Sequence, residues 1–457
     1  MKHFELLTLG DELLLGLATN SHLVFIGSQL ARRGVMPRRN VCVGDDAGVI
    51  ARQFAECWRA ADVVITTGGL GPTCDDRTRE AIAQVLGQRL VHDAEVGRAI
   101  RERMARRGFP CTVNNMKQAQ RFERAEVLRN ANGTAPGLWV EQDGKVLCML
   151  PGPPNELRPM FVEQVLPRLA RLGLVADAEV YVQMRTIGVG ESSLETMLQP
   201  IFAKHGAADV SAARGSERLN VAYCAHQGSV DCRIDSPSGI LSRAELEKIA
   251  RECGALLGEN LMCHGHDELP QVVAGLLLSR KKTLAIAEDA TGGLLSGCFN
   301  DVAGLENFFA GDVVCHTRQT MARFLGLGAQ GEAEFSIEHG NANASAGAGA
   351  GASASANAGA SANAGASAES AQAMAAGAAQ RFGADYALAV TGFAGEGAGE
   401  GAGARAGENA GGPIYIGMHS PRGTQAKTVS YPGTRFGARE RALTSALDWL
   451  RRELLAD

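Results

Sequence analysis

The chain has 457 residues, more than one ordinary domain holds, so about two to four domains are expected. Its formal net charge of −5 excludes the broad basic surface of a general nucleic-acid binder, and no apolar run is long enough to span a bilayer. Eleven cysteines with no C-x-x-C pair fit the reduced thiols of a cytoplasmic protein better than disulfides or a zinc site, and the first residues lack a signal-peptide pattern.

Residues 4–9 read as a strand that ends in Gly10-Asp11-Glu12. Residues 21–33 read as a helix closing at Gly34, residues 38–43 as a strand ending in Gly44-Asp45-Asp46, and residues 49–60 as a helix. Val63-Val64-Ile65 reads as a buried strand. It runs into Thr66-Thr67-Gly68-Gly69-Leu70-Gly71-Pro72-Thr73-Cys74-Asp75-Asp76-Arg77-Thr78, and residues 79–86 have helical spacing. This strand–helix alternation predicts a parallel sheet, whose strand ends would gather Asp11 and Glu12, Asp45 and Asp46, and Asp75 and Asp76 along one edge.

The Thr66–Thr78 turn organises the chain. Gly68, Gly69 and Gly71 let a backbone approach an anion, and the helix that follows offers unpaired N–H groups. Two carboxylates in the same turn would repel a phosphate unless a cation lay between them, which points to phosphate held beside a metal ion. The plainer alternative is that Asp75 and Asp76 only complement a helix dipole.

Further on, Asn114 to Ala119 is polar and irregular, and Asn130 to Gly137 is a turn-rich loop before the strand-like Leu138-Trp139-Val140. Residues 146–150 read as a buried strand that enters Pro151-Gly152-Pro153-Pro154-Asn155-Glu156, and residues 157–172 as a helix. Taken alone, Glu156 reads as a helix-dipole partner. From about residue 178 a small α+β module is expected, with strands at 180–187, 209–213 and 219–225 and a helix at 242–257. A third domain opens with a helix at 269–279 and a strand at 283–287. There Glu288-Asp289-Ala290-Thr291-Gly292-Gly293 again leaves a strand for a helix. Strands at 308–314, 387–390 and 414–417 and a terminal helix at 438–455 complete it. Residues 341–368 and 394–412 are low-complexity insertions.

Gly10-Asp11-Glu12-Leu13-Leu14, Val43-Gly44-Asp45-Asp46, the Thr66–Thr78 turn, Asn115-Met116-Lys117-Gln118-Ala119, Asn132-Gly133-Thr134-Ala135-Pro136-Gly137 and Pro151 to Glu156 together resemble the competence/damage-inducible protein A family, the CinA-like proteins. The resemblance covers nearly the whole chain. It implies an α/β multi-domain fold: a molybdopterin-binding-type domain at 1–174, a KH-type α+β module at 175–264, and an amidase-like α/β domain at 265–457. The first domain is associated in that family with metal-dependent hydrolysis of ADP-ribose, the third with conversion of nicotinamide mononucleotide to the acid and ammonia.

On this resemblance, Asp45 and Asp76 are functional acids that would hold a divalent ion (Mg, Mn or Co) with Glu12 nearby. Gly68, Gly69, Gly71, Thr73, Asn115 and Glu156 would contact substrate, and Lys117 would balance charge in the transition state. The third domain departs from the family pattern. Asp289 stands where the nucleophilic serine belongs, beside Thr291, Gly292 and Gly293, while His316 replaces a tyrosine and Met321 a lysine. Hydrolysis through a seryl ester needs a hydroxyl and a base, so an inactive amidase domain is expected. The expected partner is a small nucleotide, without membrane or direct nucleic-acid binding, and a homodimer is consistent with the family. The alternatives are a pterin- or nucleotide-binding protein without turnover, and an amidase with a rebuilt site.

Overall fold

A computed structural model describes residues 2–206, 218–226, 228–237, 239–326, 366–392, 413–431 and 435–457. The chain divides into two units, Met1–Tyr181 and Val182–Asp457. The strand expected at 209–213 and the insertions at 341–365 and 394–412 lie outside the described residues.

In the first unit β1 (Phe4–Leu9) leads through a short α1 (Asp11–Leu14) to α2 (Ser21–Arg32), β2 (Arg39–Val43), α3 (Ala47–Ala60) and β3 (Val63–Thr67). Then come α4 (Thr78–Leu86), β4 (Leu90–His92), α5 (Ala94–Arg106), α6 (Val113–Lys117), β5 (Gln120–Phe122), β6 (Glu126–Leu128), β7 (Gly137–Gln142) and β8 (Lys145–Leu150). The main sheet has the order β2-β1-β3-β8-β7-β6. β2, β1, β3 and β8 run parallel, while β7 and β6 are antiparallel. The expected parallel sheet is therefore mixed, because the tight Asp143-Gly144 turn returns β7 directly into β8 as a hairpin.

Sequence alternation sets the two faces. Phe4 and Leu6 of β1 pack with Val63, Ile65, Ile26 and Leu30 on one side, and Leu7 and Leu9 pack with Val64, Ile50, Phe54 and Ile82 on the other. Each such side chain is buried, which favours folding by about 1.5–3 kcal/mol apiece. The helices begin where polar caps sit: Asn20 accepts from Leu23 N–H, Asp46 from Val49 N–H and Asp93 from Val96 N–H. The single helix expected at 157–172 is α7 (Pro154–Met160), a π-helical turn (Phe161–Val165) and α8 (Leu166–Arg171). Pro159 and Pro167 each remove an N–H donor from that run, which breaks the regular ladder.

The second unit contains two sheets. β9 (Tyr181–Ile187), α9 (Glu191–Lys204), β10 (Asn220–His226), β11 (Ser229–Asp235), α10 (Arg243–Leu257) and β12 (Leu261–His264) make a four-stranded sheet of order β10-β11-β9-β12. α11 (Leu269–Arg280), β13 (Leu284–Glu288), α12 (Leu294–Gly297), β14 (Phe309–Val314), α13 (Arg318–Leu325), α14 (Ala368–Phe382), β15 (Tyr386–Gly392), β16 (Ile414–Ser420), β17 (Gly423–Val429) and α15 (Arg435–Ala456) follow. Their sheet has the order β14-β13-β15-β16-β17, with β14, β13 and β15 parallel. The alanine-rich run at the end of the first insertion becomes ordered helix, since Ser367 caps α14 at Ser370 N–H. Ala371, Ala375 and Ala378 of α14 are fully buried. A Cβ on Gly417 of β16 would fall 2.0 Å from the Ala371 carbonyl oxygen, so small residues on both elements permit this close approach.

Candidate functional site

Because β1, β2, β3 and β8 are parallel, their carboxyl ends share one edge of the sheet. Gly10 N–H donates to the Val43 carbonyl at 3.1 Å, and Gly68 N–H to the Leu150 carbonyl at 3.0 Å. The loops after β1 and β2 also bond reciprocally: Asp11 N–H reaches Asp45 Oδ2 and Asp45 N–H reaches Asp11 Oδ1, both at 3.2 Å. Gly68 has φ +97°, and a Cβ there would meet the Leu9 carbonyl oxygen at 2.3 Å. Only glycine lets the β3 turn lie against the end of β1 in this way.

The result is a cleft of about 340 Å³ lined by Glu12, Asp45, Asp75, Asp76 and Glu156 together with the glycine turn 68–71 and Pro151 to Pro153. Acids from three separated loops do converge. Burial holds the Asp45 carboxyl above its ordinary value, and the charges of Asp11, Glu12 and Asp75 push the same way, against the Asp11 N–H.

Asp76 is already engaged by its own loop. Its Oδ1 accepts from Gly71 N–H at 2.8 Å and its Oδ2 from Thr73 N–H at 2.9 Å and from the Thr73 hydroxyl. Thr73, Asn115 and Lys117 are not among the residues lining the cleft. Asn115 Oδ1 caps α6 by accepting from Thr112 N–H and hydroxyl, both at 2.9 Å. Lys117 Nζ donates to the carbonyls of Asp76 and Thr73 (3.4 Å) and pairs with Glu80 at 3.3 Å, so it braces the acidic turn. Glu156 accepts from Asn130 Nδ2 at 2.6 Å, a use that the dipole reading did not anticipate.

Three further residues at the site had no strong sequence signal. His22 is buried, with Nε2 2.7 Å from the Gly152 carbonyl and Nδ1 2.9 Å from the Thr67 hydroxyl. A neutral ring with its proton on Nε2 satisfies both contacts, and burial lowers its pKa. Gln118 lines the cleft, and its buried Oε1 has no partner. Arg79 is 1% exposed beneath the glycine turn, where Nη2 donates to the Leu70 carbonyl at 2.9 Å. Among the described residues its Nε and Nη1 have no partner, and burial lowers its pKa to about 10.

The third-domain residues also gather at strand ends. Glu288 is buried and accepts from the N–H groups of Leu295 and Ser296, which fixes the turn 289–293. Asp289 Oδ2 accepts from the Thr391 hydroxyl at 2.7 Å, while Thr291 Oγ1 is buried without a partner among the described residues. Burial raises the Asp289 pKa against that hydrogen bond, the N–H groups of Ala290 and Gly392 and the charge of His316. Gly292 and Gly293 carry the turn with φ +62° and +94°, and His316 is exposed beside Gly292. Met321 is buried in an apolar cluster with Cys315, Leu325, Met374 and Ala375.

The sequence matches two family descriptions, "Probable molybdopterin binding domain" over residues 5–171 and "CinA C-terminal domain" over residues 266–361 and 355–454. It is 36% identical over 462 residues to a putative competence-damage inducible protein of Symbiobacterium thermophilum, covering 99% of this chain and 98% of that one. It is 32% identical over 458 residues to a CinA-like protein of Syntrophomonas wolfei, covering 99% of each. Among solved structures, a CinA protein of unknown function from Thermoplasma acidophilum has 33% identity with a TM-score of 0.33, over 37% of this chain and 98% of that one. Two domain matches in order and relatives aligned end to end leave one assignment: the chain belongs to the CinA-like, competence-damage inducible protein family.

Proposed function

We propose that the first unit hydrolyses nucleotide pyrophosphates of the ADP-ribose type with a divalent metal ion, and that the CinA C-terminal domain has lost amidase activity. The observation that carries the first part is the gathering of Glu12, Asp45, Asp75, Asp76 and Glu156 at strand ends around one glycine turn. An anion site alone would be weakened by these charges.

Among the described residues no three His, Cys, Asp or Glu side chains form a ready metal cage. The donors present nonetheless suit a hard cation. Mg²⁺ commonly takes one or two carboxylates and completes its shell with water and substrate phosphates, and the unrelieved repulsion on Asp45 is what such an ion would relieve. Glu12 and Asp45 are the groups to hold it. When bound, the ion supplies charge neutralisation on the phosphates. The N–H groups of the turn 68–71 orient the diphosphate. Asp76 and Lys117 act as positioning residues, since one is clasped by the turn and the other braces it. Water adds to one phosphorus atom, the bridging P–O bond breaks, and a cleft carboxylate takes the proton of the water. The products are AMP and ribose 5-phosphate.

The second part rests on the replacement of the expected hydroxyl by Asp289 and of the expected lysine by Met321, which is buried in an apolar cluster. A paired assay on the purified full chain tests both. ADP-ribose with Mg, Mn or Co ions is expected to yield AMP, lost in Asp45→Asn, while nicotinamide mononucleotide yields no ammonia. Nucleotide binding without AMP under any ion would refute the hydrolase in favour of a binding protein. Ammonia release abolished by Asp289→Ala would refute the inactive amidase.

A further inference from the structure

A second and larger cavity of about 690 Å³ adjoins the acidic cleft in the first unit. Thr134 and Glu156 line both, so the two spaces share one wall. That wall is the loop from Asn130 to Pro136, and it is held firmly. Asn130 Nδ2 donates to Glu156 at 2.6 Å and to the Ala135 carbonyl at 2.8 Å, while Asn130 Oδ1 accepts from Gly133 N–H at 2.7 Å. Asn132 Nδ2 donates to the Asn155 carbonyl at 2.6 Å. A Cβ on Gly133 would fall 2.0 Å from the Glu156 carboxylate, so the loop lies directly against that side chain.

The two spaces differ in chemistry. The cleft is small and acid-lined. The large cavity has an apolar lining from Val96 and Ile100 of α5, Val127 of β6, Pro136 and Met160. Its charges are mixed. Arg129 is paired with Glu95 at 3.0 Å and Asp93 with Arg121 at 2.9 Å. Arg103 spends one donor on the Ala131 carbonyl at 2.8 Å and keeps its buried Nε without a partner. A cavity of this size, with an apolar floor ringed by charged and amide side chains, suits a heterocycle and its sugar.

We propose that this cavity binds the nucleoside of the substrate, with the phosphates passing the Gly133–Thr134 wall into the acidic cleft. The proposal rests on the hydrolase reading for the role of the cleft, and it adds a rule of specificity. The chain recognises the nucleoside end of a diphosphate and is indifferent to the group on the far phosphate.

Ala99 of α5 is exposed and lines the large cavity, so Ala99→Trp fills the space without disturbing the core. Binding of AMP and of ribose 5-phosphate to the full chain is measured by calorimetry, beside hydrolysis of ADP-ribose and ADP-glucose. AMP is expected to bind at least about tenfold more tightly than ribose 5-phosphate, and Ala99→Trp to remove that advantage. The same variant should raise KM for both substrates about tenfold with kcat little changed, and wild type should treat the two substrates alike within about threefold. Equal binding of the two monophosphates, or AMP affinity and KM unaltered in a folded Ala99→Trp, would overturn the proposal and leave the hydrolase standing. AMP binding blocked by Ala99→Trp in a protein that hydrolyses nothing would sustain the cavity and refute the hydrolase.

Discussion

Gly68→Ala and Gly71→Ala test whether the cleft is built by backbone approach. At Gly68 the added methyl would meet the Leu9 carbonyl oxygen at 2.3 Å with φ at +97°. A positive φ costs an L-residue about 1–2 kcal/mol, and overpacking against backbone that no rotamer can relieve adds about 1–3 kcal/mol. At Gly71 the methyl would meet only the end of a side chain, Asp76 Oδ2 at 2.4 Å. That carboxylate can swing away, at the cost of its bonds to Gly71 and Thr73. With Asp76 partly exposed, the loss should be about 1 kcal/mol. For a unit of this size each kcal/mol moves the melting point about 2–4 °C. Gly68→Ala should therefore lower the first unit's transition by about 10 °C and Gly71→Ala by about 3 °C, followed by scanning calorimetry of the full chain. Both should lose AMP formation, the first through a displaced loop and the second through a displaced carboxylate. A Gly68→Ala protein that melts within about 2 °C of wild type, or a Gly71→Ala protein as unstable as Gly68→Ala, would refute the packing argument.

Asp45 has a pKa raised by burial and by neighbouring acids, so the native state holds its proton more tightly than the unfolded chain. Its contribution to stability is therefore complete below the ordinary carboxylate value and is lost as pH rises through the raised one. Asp45→Asn should stabilise the first unit at neutral pH and make no difference in strong acid, a trend read from melts across pH; destabilisation at neutral pH would count against it. The same reasoning holds for Asp289, raised by burial: Asp289→Asn should raise the second unit's melting point at neutral pH and leave AMP formation untouched. Met321→Lys would place an ammonium in the cluster of Cys315, Leu325 and Met374. It should cost about 2–5 kcal/mol and release no ammonia from nicotinamide mononucleotide; a stable, active variant would show that the side chain reaches the turn.

The buried strands and acidic loops of the first unit were legible because alternation and strand-end glycines leave a direct mark. α5 was not, since only Gly97 and Ile100 are buried along a run dominated by charged residues. β4, β5 and β6 are three residues each, too short for a period to show. Those omissions hid part of the large cavity, which α5 and β6 help to line. The sequence placed Asp76 and Lys117 at the acidic turn, but it carries no record of where their polar atoms point. The resemblance likewise assigned Met321 to the position of a family lysine, and the sequence did not show that it packs against α14 in an apolar cluster. Arg79 read as one polar residue on a helix, although it is buried almost completely.

The parallel pairing of β3 with both β1 and β8 has a consequence for synthesis on the ribosome. Thr67 pairs with Leu150, and the Gly68 N–H donates to the carbonyl of that same residue. A nascent chain carries Glu12, Asp45 and Asp76 long before it carries Leu150, and it cannot close the cleft until β8 has emerged. Loop closure over such separations is slow compared with local helix formation. The acids therefore spend the early part of synthesis as ordinary solvated carboxylates, and their mutual repulsion is imposed only when the last central strand docks.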